Sequence, residues 1–144
     1  MPLTVLLAED NPGDVFLVRR ALEKHGLKDV DLIVVEDGQA ALRYIEHIDT
    51  DDSAVSPGLA LVDLNLPRTT GNHILTRIRQ SRRCKAIPII IVTSSGSPMD
   101  REAVSQLGAT AYFQKPGDLA GFMRLGQIVR DALDGPVSQV AASS

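Results

Sequence analysis

The sequence predicts a doubly wound α/β fold, a parallel sheet of five strands with helices on both faces, and three observations predict it. Short β-branched runs alternate with longer amphipathic stretches, and the pair recurs five times from start to finish. Each run is short and continuously apolar, the pattern of a strand buried on both faces rather than of a half-solvated antiparallel sheet. At 144 residues, 44% hydrophobic and 23% charged, the chain has the size and balance of one ordinary domain with a full core. Right-handed crossovers then put helices on both faces, and five strands of this length fit the known order 2-1-3-4-5.

The first strand is predicted at Leu3 to Ala8. Asn11 and Pro12 follow as helix cap and first turn, Val15, Val18 and Leu22 mark one face, and Gly26 stops the helix. The second strand is Val30 to Glu36 and its helix Gly38 to Ile48, after which Asp49 to Gly58 forms a polar loop outside the repeat. The third strand, Leu59 to Asp63, leads to a helix after Gly71 with Ile74, Leu75 and Ile78 inward and Arg77, Arg79 and Arg82 outward. The fourth strand is Ile87 to Thr93, with a helix from Pro98 to Gly108. The fifth is Ala111 to Gln114, followed by one helix from Asp118 to Leu133. Leu119, Phe122, Met123, Leu125, Ile128, Val129 and Leu133 give that helix a broad apolar face. One domain thus spans residues 1–134, and the small-residue segment 135–144 is expected to be a flexible tail.

Composition narrows the function classes. A net charge of -3, no Trp and 3% aromatics supply neither the electrostatic footprint nor the stacking platforms of a nucleic-acid binder. The longest apolar runs, Ala86 to Val92 and Leu59 to Val62, are too short to cross a bilayer, and Met1 to Glu9 lacks the features of a leader; a cytoplasmic protein is expected. Cys84, set among Arg82, Arg83 and Lys85, reads as a reduced surface thiol. His25, His47 and His73 lack metal-ligand spacing and read as surface residues. There is no Gly-x4-Gly-Lys-Ser/Thr loop, and the acidic run at Asp49 lacks the glycine and terminal glutamate of a calcium loop.

In such a sheet the ligand site lies beyond the carboxyl ends of the strands, at the switch in strand order. Glu9, Asp10 and Asp63 stand there. Three carboxylates converging on one crevice repel one another, and a hard divalent cation with oxygen ligands keeps them ionised, so a Mg²⁺ site is predicted. Local helix capping accounts for Asn11 and Asp14 without any ligand. It does not account for Asp63, which ends an apolar strand and precedes Leu64-Asn65-Leu66-Pro67. Beyond the fourth strand come the hydroxyls of Thr93-Ser94-Ser95, and beyond the fifth comes Lys115-Pro116. A phosphoryl group on Asp63 would find the metal on one side, Thr93 as donor on another and Lys115 as counter-charge.

The segments Val5-Leu6-Leu7-Ala8-Glu9-Asp10-Asn11, Leu61-Val62-Asp63-Leu64-Asn65-Leu66-Pro67, Ile91-Val92-Thr93-Ser94 and Lys115-Pro116 resemble the signature blocks of response-regulator receivers, over nearly the whole chain. The resemblance implies a flavodoxin-like fold and a phosphoacceptor rather than an enzyme. It makes Asp63 the acceptor and Glu9, Asp10, Asp63 and the Asn65 carbonyl the ligands of Mg²⁺ or Mn²⁺. Thr93 becomes the switch hydroxyl, Lys115 the phosphoryl-binding lysine and Tyr112 the aromatic switch residue. Asn65 and Ser95 fall where the family tunes hydrolysis. The block Glu9-Asp10-Asn11-Pro12-Gly13-Asp14-Val15 looks like single-domain regulators that serve phytochrome-type histidine kinases, with no DNA-binding output domain. The expected output face is the fourth helix, fifth strand and fifth helix, binding a downstream protein or a second copy. Arg68-Thr69-Thr70-Gly71 and Gly117 depart from the usual wording without touching the acceptor.

Other classes are weighed beside this one. A flavodoxin-like electron carrier would meet Glu9 and Asp10 where a flavin phosphate needs donors, and no Trp flanks a flavin. A metal-dependent phosphatase working through an aspartyl-phosphate usually has a general acid two residues past its nucleophile, where this chain has Asn65. A receiver serving only as an unphosphorylated docking module would not need Glu9, Asp10, Asp63, Thr93 and Lys115 together.

Overall fold

Side chains along a strand point alternately to opposite faces, and here that alternation builds two cores, one on each face of a single sheet. The computed structural model describes residues 2–143, and side chains for residues 2–134. The strands are β1 (Leu3–Ala8), β2 (Val30–Val35), β3 (Leu59–Val62), β4 (Ile89–Thr93) and β5 (Ala111–Gln114). All pairings are parallel and the order is β2-β1-β3-β4-β5, as the sequence predicts. The helices are α1 (Pro12–Lys24), α2 (Gly38–Thr50), α3 (Gly71–Gln80), α4 (Pro98–Gln106), α5 (Leu119–Met123) and α6 (Leu125–Ser143).

Val5, Leu7, Leu59, Leu61, Ile90 and Val92 pack against Val18 and Leu22 of α1, Phe122 of α5 and Leu125 and Val129 of α6. On the other face Leu6, Ala60, Val62, Ile89 and Ile91 meet Ile45 and Ile48 of α2, Ile74 and Ile78 of α3 and Val104 of α4. The central strands are therefore covered on both sides. The edge strands are not: β2 is half-buried along its length and β5 buries only Phe113, because each has one neighbour in the sheet.

Helix starts are fixed by caps. The side chains of Asn11, Asp37, Thr70, Ser97 and Asp118 each accept a hydrogen bond from a backbone N–H three residues on, and Pro12 and Pro98 occupy first turns. Every helix of the repeat thus begins just past the carboxyl end of the strand before it.

Four sequence expectations change. The single C-terminal helix is two: α5 closes with the Arg124 N–H donating to the Gly121 carbonyl, and α6 starts at Leu125 and continues past Leu133. Gly121 and Gly126, poor helix formers, bracket the break. Leu119 is exposed rather than part of the apolar face. Asp49 is not loop but lies in the last turn of α2. Cys84 is fully buried, because the turn after α3 carries it inward while Arg83 reaches across to the carbonyls of Ile48 and Asp51. Burial pushes its thiol pKa up. The expected tail, 135–144, lies outside the residues whose side chains are described. Among the described residues no helix is long and apolar enough to cross a membrane.

Candidate functional site

The residue that follows β1, β3 or β5 is still held by the ladder. The Glu9 N–H donates to the Val35 carbonyl at 3.0 Å, the Asp63 N–H to the Ala8 carbonyl at 3.0 Å and the Lys115 N–H to the Thr93 carbonyl at 2.7 Å. Backbone pairing thus carries these side chains into one crevice at the strand-order switch between β1 and β3.

Glu9 is 2% exposed and Asp63 6%, and carboxylates that deep are costly unless paired. Pairing is complete. Lys115 Nζ donates to Glu9 Oε1 at 2.7 Å, Asp14 Oδ2 at 2.7 Å and Asp63 Oδ2 at 2.9 Å. The Asn11 N–H takes the other Glu9 oxygen and the Asn65 N–H the other Asp63 oxygen, both at 3.1 Å. Burial pushes the Glu9 pKa up, with the Lys115 hydrogen bond opposing it. Burial also works against the Lys115 charge, but the hydrogen bonds it donates to Asp14, Glu9 and Asp63 outweigh it and raise that pKa.

Glu9, Asp10 and Asp63 place ligand oxygens within 4.8 Å of one another. Opposite ligands of an octahedral Mg²⁺ stand about 4.2 Å apart, so small side-chain adjustments bring these oxygens onto one hard cation. The all-oxygen donor set fits such an ion, and the exposure of Asp10 leaves room for the waters it keeps.

Thr93 is fully buried at the end of β4, and its Oγ accepts from the Ser95 N–H at 3.4 Å. The Ser95 hydroxyl donates to Asp100 Oδ2 at 2.6 Å and so ties the loop to the first turn of α4. Tyr112 stands apart from the carboxylates: its hydroxyl donates to the Ser95 carbonyl at 2.8 Å, and the Arg101 guanidinium lies 4.2 Å from its ring centroid. The structure therefore brings Glu9, Asp10, Asp63 and Lys115 together and links Thr93, Ser95 and Tyr112 through the β4–α4 loop. It adds one residue that the sequence reading assigns only to helix capping, Asp14. Its partner lies 101 positions away, and no local pattern signals that contact.

An acidic crevice at the switch point, with a half-buried lysine answering its carboxylates, is the arrangement expected of a response-regulator receiver. The family model for the response regulator receiver domain matches residues 5–125, and the chain belongs to that family. Among its relatives is response regulator Rcp1 of Synechocystis sp., 32% identical over 126 residues that cover 88% of this chain and 85% of Rcp1. Among solved structures, the phosphorylated cyanobacterial phytochrome response regulator RcpA superposes with a TM-score of 0.81 at 25% identity, covering 94% of this chain and 96% of that one. The manganese-bound form of Rcp1 superposes with a TM-score of 0.78 at 31% identity, covering 90% and 93%.

Proposed function

We propose that this receiver, spanning residues 1–134, accepts a phosphoryl group on Asp63 from a sensor histidine kinase and passes the signal on through a protein-binding face. The observation that carries the reading is Asp63 itself, a buried carboxylate with one oxygen 2.9 Å from the Lys115 ammonium and a place in the acidic cluster. An Asp63 oxygen attacks phosphorus in line, and the bond from phosphorus to the donor histidine nitrogen breaks. The electron pair leaves with the imidazole. Lys115 answers the charge on the transferring oxygens, a job suited to a compact ammonium. Mg²⁺ or Mn²⁺ held by Glu9, Asp10, Asp63 and the Asn65 carbonyl would neutralise phosphoryl charge and hold the group in line. The protein acts as an acceptor, and its own chemistry ends with transfer and hydrolysis, tuned by Asn65 and Ser95.

The new group adds about two negative charges and three acceptor oxygens. Thr93 moves toward it to donate, and that movement draws its oxygen away from the Ser95 N–H and loosens the loop that Tyr112 holds through the Ser95 carbonyl. The surface of α4, β5 and α6 then changes its fit for a downstream protein or a second copy. Likeness to RcpA, a cyanobacterial phytochrome response regulator, supports a kinase of the phytochrome type.

Intact mass after incubation with acetyl phosphate tests the reading. A gain of one phosphoryl group is expected with Mg²⁺, none without it, and none in Asp63→Asn. Equal gain in that variant would place the acceptor elsewhere.

A further inference from the structure

Resting on that reading, we propose that Asp14 is a positioning residue for the phosphoryl transfer, an anchor that fixes the Lys115 ammonium so that one N–H stays aimed at the Asp63 oxygen. An ammonium has three N–H groups and free rotation about its last bond. Here all three are engaged, and the bonds to Glu9 and Asp14 at 2.7 Å fix that rotation. The third, to Asp63 Oδ2, is the longest at 2.9 Å. It is also the bond whose partner changes when Asp63 gains a phosphoryl group, so this N–H can pass to a phosphoryl oxygen while the other two keep their partners.

Glu9 cannot be the dedicated anchor, because it belongs to the acidic cluster with Asp10 and Asp63. Asp14 stands outside that cluster, and among the described residues its carboxylate pairs with Lys115 alone. Its side chain is 23% exposed, whereas that of Lys115 is 12% exposed. A rim carboxylate thus holds a nearly buried ammonium. The hold is well built, since the backbone N–H of Asp14 donates to Asn11 Oδ1 at 3.2 Å and seats the residue in the capped first turn of α1. Asp14→Asn keeps that cap bond and nearly the same side-chain volume, removes the charge and replaces one acceptor oxygen with an NH2 donor.

The rate of phosphoryl gain from acetyl phosphate at saturating Mg²⁺ should be measured for the wild type, Asp14→Asn, Lys115→Ala and the double variant. Loss of orientation should slow Asp14→Asn by about tenfold. In the Lys115→Ala background the same change should have no further effect, because its target is gone. An Asp14→Asn rate equal to wild type, or equal slowing with and without Lys115, would overturn the proposal. So would a raised Mg²⁺ requirement in Asp14→Asn, read by repeating the rate across a Mg²⁺ titration, which would make the residue a partner of the ion. Amine labelling of Lys115, read by peptide mass, needs no phosphoryl chemistry. Asp14→Asn should raise it severalfold, and unchanged labelling would refute the anchor. A wild type that gains no phosphoryl group would defeat the proposed function, while the labelling result still decides the hold of Asp14.

Discussion

Asp49 is the residue whose surroundings most exceed what its neighbours in sequence suggest. It accepts from the Ser81 hydroxyl at 2.6 Å, Arg77 Nη2 at 3.1 Å and the Arg83 N–H at 3.1 Å, joining the end of α2 to the turn after α3. Ser81 is fully buried, so Asp49→Ala leaves its O–H without an acceptor, while its oxygen keeps the Cys84 N–H at 3.0 Å. That change should lower unfolding stability by about 2–3 kcal/mol in a urea titration. Burial alone would raise the Asp49 pKa, but the hydrogen bonds from Ser81, Arg83 and Arg77 outweigh it and hold it below its ordinary 3.8. A depressed native pKa contributes stability that is full above the unfolded value and is lost as pH falls through the native one. The stability gap between wild type and Asp49→Asn should therefore be complete near neutrality and narrow only below 3.8. A gap independent of pH down to 2, measured by the same titration (about two units below the ordinary carboxylate range), would remove ionisation from the account. In sequence this aspartate opens a polar run and reads as loop, and Cys84 among basic residues reads as surface. Both are decided by how two turns dock, which is long-range information. The acceptor candidate Asp63 was legible because its position follows from strand order alone.

At the scale of elements, two glycines mark close approaches with different consequences. A Cβ on Gly71 would lie 2.5 Å from the Asp63 carbonyl oxygen and 2.8 Å from Leu64 Cα, so α3 begins against the backbone of the candidate acceptor. A Cβ on Gly126 would lie 2.3 Å from the Ala21 carbonyl, where α6 crosses α1. Backbone cannot swing aside as a side chain can, and overpacking of this kind costs about 1–3 kcal/mol. Gly71→Ala and Gly126→Ala should both lower the thermal midpoint. Only Gly71→Ala should also slow phosphoryl gain, because only it displaces the loop after β3. Equal rates in the two variants would separate loop position from acceptor chemistry. Strands were readable from apolar runs, and two helix starts from Asn11-Pro12 and from Pro98. The break at Arg124 was not, since the apolar spacing of Phe122, Leu125 and Val129 continues across it and only the crossing with α1 shows why the chain turns.

For the whole molecule, parallel strands send all their carboxyl ends to one edge, which is why Glu9, Asp63, Thr93 and Lys115 could be assigned to a common site from sequence order. The opposite edge carries the Asp49 junction, because α2 runs back across the sheet from its start after β2. The two ends should answer separately to a metal ion. An ion that binds the folded chain and not the unfolded one stabilises by RT ln(1 + [L]/Kd), about 1.4 kcal/mol at tenfold excess over Kd. In a domain of this size that raises Tm by about 3–6 °C. Mg²⁺ should give such a rise in wild type and in Asp49→Asn, and little or none in Asp10→Asn, whose side chain is exposed and whose loss should cost the fold little. A full rise in Asp10→Asn would mean that Asp10 does not help hold the ion. Loss of the rise in Asp49→Asn would mean that the two edges are coupled through the sheet rather than independent.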